Sequence, residues 1–354
     1  MPREIDSLLK LMVEKNASDL HITAHWPVCI RIDEKLMAVN DRILSAGEAK
    51  DLIYSLLSKT QVEKFERNLE LDLSFEIEDV SRYRINVFKQ RGTIGAAIRL
   101  IPYRIWSFEE CGLPVDVTTN LCRKPKGLVL VTGATGSGKS TSLASMIDWI
   151  NNDRPCHIIT VEDPIEFVHK NKKAIIEQRE VYSDTHSFPG ALKHVLRQDP
   201  DVILIGEMRD LETIESALII AETGHLVFAT LHTSDCVQTI NRIVDVFPAH
   251  QQQQIRTQLS FVLVGILSQQ LIPRQTGKGR VLAMEILLVN PAVRSLIREL
   301  KVHQIYSVMQ TSQRDGMKTM NQALYGLYQM KEISYDEAFA RTMDPDDLAR
   351  LFKK

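Results

Sequence analysis

The sequence has no long apolar run, no paired cysteines and no surplus of either charge. Its longest apolar stretch, FVLVGIL at 261–267, falls far short of the roughly 20 residues that cross a bilayer. A membrane-spanning helix is therefore not expected. The five cysteines (Cys29, Cys111, Cys122, Cys156 and Cys236) are scattered, odd in number and without any C-x-x-C pair. That spacing argues against a zinc knuckle or a disulfide framework and fits a reducing cytosol. Lysine and arginine number 43 against 45 acids, for a net charge of −2. A wholesale nucleic-acid binder is usually basic, so that class loses weight. At the N-terminus, Ile5, Leu8, Leu9, Met12 and Val13 recur at helical spacing with charges between them. This is an amphipathic helix rather than a secretion signal, which needs an unbroken apolar core. A cytoplasmic protein is the expectation.

What the chain does have is length and apolar content: 354 residues, 44% hydrophobic, enough for two or three domains. Residues 1–105 mix helical and strand patterns. In LELDLSFEI (69–77), Leu69, Leu71, Leu73, Phe75 and Ile77 alternate with polar residues, the period of a half-buried antiparallel strand. YRINVF (83–88) and TIGAAIRLI (93–101) continue it, joined by a turn at KQRG. This predicts an α+β domain with an antiparallel sheet. Residues 106–114, within the proline-containing stretch 101–114, read as a linker and a hinge. Over 115–290 the strands become short apolar runs, each followed by a helical pattern: GLVLVTG, HIITVED, DVILIGE and HLVFATLH. Such alternation predicts an α/β unit with a mainly parallel sheet covered on both faces. From 291 to 354 only helical patterns remain, which predicts a C-terminal helical subdomain.

The run LVLVTGATGSGKSTSLASMIDWIN (128–151) places a G-x-x-x-x-G-K-[ST] loop between a strand and a helix. Glycines at 133, 136 and 138 let successive N–H groups face a phosphate, and the following helix points its positive end at the same anion. Thr135, Gly136, Ser137, Gly138, Lys139, Ser140 and Thr141 form the predicted nucleotide-binding set. Lys139 reaches the β- and γ-phosphates, and the Ser140 hydroxyl is the predicted ligand of Mg²⁺. ATP and Mg²⁺ are the expected cofactors. Three further strands end in polar residues at the predicted loop-bearing edge: Glu162 (followed by Asp163), Glu207 and His232. Either glutamate can orient the attacking water, and the pattern does not choose between them. His232 suits the sensing of a γ-phosphate; His225, at the other end of its strand, reads equally as catalytic or structural. Arg82, Arg84, Arg91 and Arg99 cluster on two adjoining strands of the first domain. Arg84 faces away from Tyr83, Ile85 and Val87, on a solvated face.

VTGATGSGKSTSLASMIDWIN, ITVEDPIEFVH, LRQDPDVILIGEMRDLET and TGHLVFATLHTSD resemble, in that order, the Walker A, Asp-box, Walker B and His-box motifs of the secretion-ATPase superfamily. Gly206-Glu207 carries that family's departure from the ordinary Walker B box, which has an aspartate before the glutamate. The likeness covers nearly the whole chain and is to the pilus-retraction branch. AVRSLIRE (292–299) is close to that branch's A-I-R-N-L-I-R-E signature, differing at Val293 and Ser295. Neither the four-cysteine insertion nor the long extra N-terminal region of the assembly ATPases is found. The resemblance implies a PAS-like first domain, a RecA-like second domain and a homo-hexamer with nucleotide between subunits. It also implies that Arg84 and Arg99 reach toward that nucleotide, and that ATP hydrolysis drives pilus retraction. The implied partner is an inner-membrane platform protein at the pilus base, the only route to the membrane; related pilus ATPases are further partners and no nucleic acid is. A sister branch of accessory retraction ATPases shares much of the pattern. A pilus-assembly or secretion ATPase and, from another class, a nucleic-acid translocase are the alternatives.

Overall fold

The computed structural model describes residues 4–15, 17–32, 35–77, 80–101 and 104–353. They divide into two compact units, Met1–Arg104 with Glu166–Val168, and Ile105–Ile165 with His169–Lys354.

The first unit is a six-stranded antiparallel sheet with three helices, Glu4–Glu14, Ala46–Tyr54 and Lys59–Asn68. Its strands are β1 (Asp19–Ile22), β2 (Pro27–Ile32), β3 (Lys35–Ile43), β4 (Glu70–Ile77), β5 (Ser81–Gln90) and β6 (Thr93–Ile101), in the order β3-β2-β1-β6-β5-β4. Period-two patterning does its expected work in β5. Tyr83, Ile85 and Val87 are buried while Arg84 is exposed. Tyr83 meets its polar need by donating its hydroxyl to the Leu9 carbonyl at 2.9 Å. Arg91 and Gly92 both take positive φ between the paired Gln90 and Thr93, the two-residue hairpin turn that matches strand twist. One expectation fails: Leu69 is not in the strand. It is the left-handed cap (φ 65°) that ends helix Lys59–Asn68, and it lies exposed. Capping geometry there overrides the alternation.

The second unit carries β7 (Gly127–Thr132), β8 (His157–Glu162), β9 (Ile175–Glu180), β10 (Val202–Ile205), β11 (Leu226–Leu231), β12 (Leu263–Pro273) and β13 (Arg280–Leu288). Their order is β13-β12-β7-β11-β10-β8-β9, parallel throughout except for β13, which runs antiparallel to β12. Successive residues of one strand serve two cores. Leu128 and Leu130 join one cluster with Ile203, Ile205, Val227 and Ala229. Val129 and Val131 join the other with Val202, Leu204, Leu226 and Phe228. That is why these strands read as unbroken apolar runs: both faces are covered by helices.

Two expected boundaries differ. Pro102 and Tyr103, in the wider stretch 101–114, lie outside the described residues, but the expected linker 106–114 is packed structure. Ser107 caps a short helix, Phe108–Cys111, by a reciprocal capping box, and Phe108 and Leu113 are buried in the core of the second unit. Phe108 stacks on Trp149 with centroids 6.2 Å apart. Phe108 and Leu113 anchor this segment, so it is no free hinge within the second unit. Nor do residues 291–354 form one separate subdomain. Val293, Ile297, Val302, Ile305 and Met309 belong to a core of the sheet, whereas Leu324, Ile333, Ala338 and Leu348 pack with Ile272 and Ala283 of β12 and β13. Among the described residues, no helix is long and apolar enough to cross a membrane, and all five cysteines are free thiols.

Candidate active site

Parallel strands bring their C-terminal ends to one edge, and the neighbours β7, β11, β10 and β8 set the order of groups along it. The glycine-rich loop follows β7, His232 follows β11, Gly206-Glu207 follows β10, and Glu162 closes β8. The register pairs Thr132 with Leu231, Ala229 with Ile205, and Ile205 with Val161, so the four ends stand nearly level.

In the loop, Gly133, Gly136 and Gly138 have φ of 138°, 79° and 89°. A Cβ on Gly133 would fall 2.4 Å from the Gln269 carbonyl oxygen and 2.6 Å from Ser137 Oγ, so only glycine fits. Helix Lys139–Asp153 starts at once and aims its N-terminal N–H groups back at the loop. The Lys139 ammonium is buried and donates to the carbonyls of Gly133 (2.8 Å) and Ala134 (3.0 Å). Ser137 Oγ is buried with no hydrogen-bond partner among the described residues. A buried hydroxyl of this kind within a ring of N–H groups suits an anion.

The acids differ in their neighbours. Glu207 lies 2.8 Å from Arg209 and 3.3 Å from His232 Nε2. Burial pushes its carboxyl up, but Arg209 and His232 outweigh that and hold it below the usual carboxylate range. Glu207 is thus ionised at neutral pH. Arg209 also approaches Asp163 at 3.9 Å. Glu162 instead accepts from Thr160 Oγ1 at 2.6 Å and from Gln178 Nε2 at 3.2 Å. Between these two strand ends sits Gly206. A Cβ there would lie 3.2 Å from both the Val161 carbonyl oxygen and the Glu162 Cα, which gives a local steric reason for glycine before Glu207.

The family model for type II/IV secretion system proteins matches residues 1–334. The chain belongs to that family. Within the type II/IV secretion system family it is similar to a Pseudomonas aeruginosa protein described as the type IV pilus retractation ATPase PilT, at 47% identity over 97% of this chain and 99% of the relative. Similarity to the type IV pilus ATPase PilU of the same organism is 42%, over 99% and 91% of the two chains. A crystal structure of the pilus retraction motor PilT with bound ADP superposes with a TM-score of 0.93 at 50% identity, over 99% of this chain and 100% of that one. This member of the family is a P-loop ATPase that binds nucleotide.

The edge therefore unites the loop residues, Glu162, Glu207 and His232. It does not include His225. His225 precedes β11, at the opposite end of the sheet. Its Nδ1 lies 3.1 Å from the Ile220 carbonyl and 3.2 Å from Thr223 Oγ1, at the C-terminus of helix Leu211–Glu222. Arg84 and Arg99 belong to the first unit, where they are paired across β5 and β6. Both are exposed, and Arg99 Nε donates to Asp19 at 2.9 Å. Sequence reasoning missed Arg209 and Gln178. Arg209 stands two residues past the strand-end glutamate, a spacing that offered a signal; Gln178 lies on β9, a strand whose polar sequence IIEQRE hid it.

Proposed function

We propose that this chain is the motor subunit that hydrolyses ATP to retract type IV pili. The observation that carries the reading is the Glu207–His232 pair on the same edge as the Lys139 loop, in a chain that aligns with a retraction ATPase from end to end. Lys139 and the loop N–H groups hold the β- and γ-phosphates. Glu207, kept anionic by Arg209, orients the water that attacks the γ-phosphorus as the bond to ADP breaks. His232 touches Glu207 and so reports the γ-phosphate to it. Glu162, fixed by Thr160 and Gln178, supports the same water or its metal-bound neighbours. The oxygen-rich donor set fits Mg²⁺, with the Ser140 hydroxyl as direct ligand and the two acids on its waters; the ion would neutralise charge developing on the phosphates.

The working assembly in this proposal is a homo-hexamer whose PAS-like first units each pack on the next subunit's RecA-like core. The partner is the inner-membrane platform protein at the pilus base, and the motor sits on the cytoplasmic face through it. Arg84 and Arg99 then act from a neighbouring subunit on the transferring phosphoryl group. Arg84→Ala is expected to slow steady-state hydrolysis by about 10³-fold or more while sparing nucleotide binding. Unchanged turnover would leave Arg84 as a solvated strand residue. Direction is tested in piliated cells by replacing Glu207 with Ala and following single labelled pili. Pili that extend and never shorten support a retraction motor; bald cells would mean that it powers assembly.

A further inference from the structure

Several buried ionisable side chains lie outside the site just described. Glu285, on β13, is 3% exposed, and no basic side chain forms an ion pair with it among the described residues. Its two oxygens are taken instead by two helix N-termini. Oε1 accepts the Cys236 N–H at 2.8 Å and Oε2 accepts the Met320 N–H at 3.2 Å. Cys236 and Met320 are the first residues of helices Cys236–Asp245 and Met320–Gln329. Two positive helix ends face this carboxyl group where a cation would otherwise stand. Burial pushes its pKa up, and the two N–H donors pull against that.

The consequence lies four residues upstream of Cys236, at His232. The segment 232–235 joins the end of β11 to that helix and has no secondary structure of its own. It is tied at its far end: Ser268 Oγ donates to the Ser234 carbonyl at 3.0 Å, and Asp235 caps the helix through the Gln238 N–H at 2.7 Å. Glu285 is the only ionisable side chain from outside the segment and its helix among these ties. We propose that Glu285 is a positioning residue for ATP hydrolysis: it holds the segment that carries His232 against Glu207, and it anchors that segment to the N-terminus of helix Met320–Gln329. The inference rests on the assignment of His232 given above. It makes the C-terminal helices part of the machinery that sets turnover, because both helix ends share one carboxylate.

The test is a double-mutant cycle on the full-length protein. Glu285→Gln is isosteric, but one of the two helix N–H groups then faces an amide NH₂ rather than an oxygen. Expected is a fall in kcat of about tenfold with KM for ATP unchanged, because the phosphate loop hangs on β7 and is not touched. Combined with His232→Gln, it should add no further loss, since the residue it acts through is already gone. Losses that multiply, or a normal kcat in the single variant, overturn the proposal. Normal turnover of His232→Gln alone overturns the His232 assignment and this inference with it, a result distinct from a failure confined to Glu285. Should Glu285→Gln not fold, Cys236→Pro serves. The first helical position tolerates proline, and Asp235 (φ −149°, ψ 169°) already has the extended backbone that must precede one. It removes the N–H together with the buried thiol that donates to the Ile266 carbonyl at 3.7 Å, so Cys236→Ala, which removes the thiol and keeps the N–H, is measured beside it; a kcat in Cys236→Pro no lower than in Cys236→Ala overturns the proposal as well.

Discussion

Lys139→Ala lowers ATP turnover by about 10²–10³-fold, measured as phosphate release, while the thermal midpoint stays close to that of the wild type. The size follows from where the amine sits. It is buried beneath the loop and already pointed along it by the Gly133 and Ala134 carbonyls. A substrate phosphate therefore meets a positive charge that needs little reorganisation. Alanine removes that charge where water does not readily replace it, so the loss is larger than for an exposed lysine. Stability is spared because the methylene stem contributes little of the core around β7, which is filled by Leu128, Val129, Leu130 and Val131. Wild-type hydrolysis in this variant would remove the loop from the chemistry altogether.

Glu207→Gln is expected to cost about 10²–10⁴-fold in kcat while a fluorescent ATP analogue still binds. The amide keeps the shape of the side chain but loses the charge that Arg209 and His232 face. His232 then loses the carboxylate it faces, Arg209 keeps only Asp163 at 3.9 Å, and the water loses its anionic acceptor. Glu162→Gln, measured alongside, separates the two acids. Glu162 is held by the Thr160 hydroxyl and the Gln178 amide, so its substitution tests the second carboxylate of the edge directly. A small effect at Glu207 together with a large one at Glu162 would exchange their roles.

The sheet edge was legible because its residues obey local rules. An apolar strand, a glycine-rich turn and a helix start are neighbours in sequence, and a parallel sheet then brings strand ends together by topology alone. Glu162, Glu207 and His232 met for that reason, and His225 stood apart by the same reasoning. What stayed hidden depended on partners distant in the chain. The polar pattern of β9 gave no hint that Gln178 holds Glu162. β12 and β13 extend the sheet beyond β7, yet only the apolar stretch 261–267 stood out there in the sequence. The burial of Phe108 and Leu113, which gives the expected hinge residues a packed setting, depends on Trp149 and the core around it. Leu69 was misread for the opposite reason: alternation is a pattern over several residues, and a left-handed helix cap needs only one.

Gly206 has a bearing on what this motor can become. With the Val161 carbonyl and Glu162 backbone only 3.2 Å from where its side chain would begin, position 206 resists the aspartate that other P-loop ATPases carry there. The two carboxylates are instead borne by adjacent strands, β8 and β10, whose separation is fixed by backbone pairing at about 4.8 Å. Their spacing is thus ruled by the sheet itself and not by the reach of one side chain. A substitution that restores the usual acid must displace the Val161 carbonyl or the Glu162 backbone by a few tenths of an ångström, so it acts on the neighbouring strand that bears the other carboxylate.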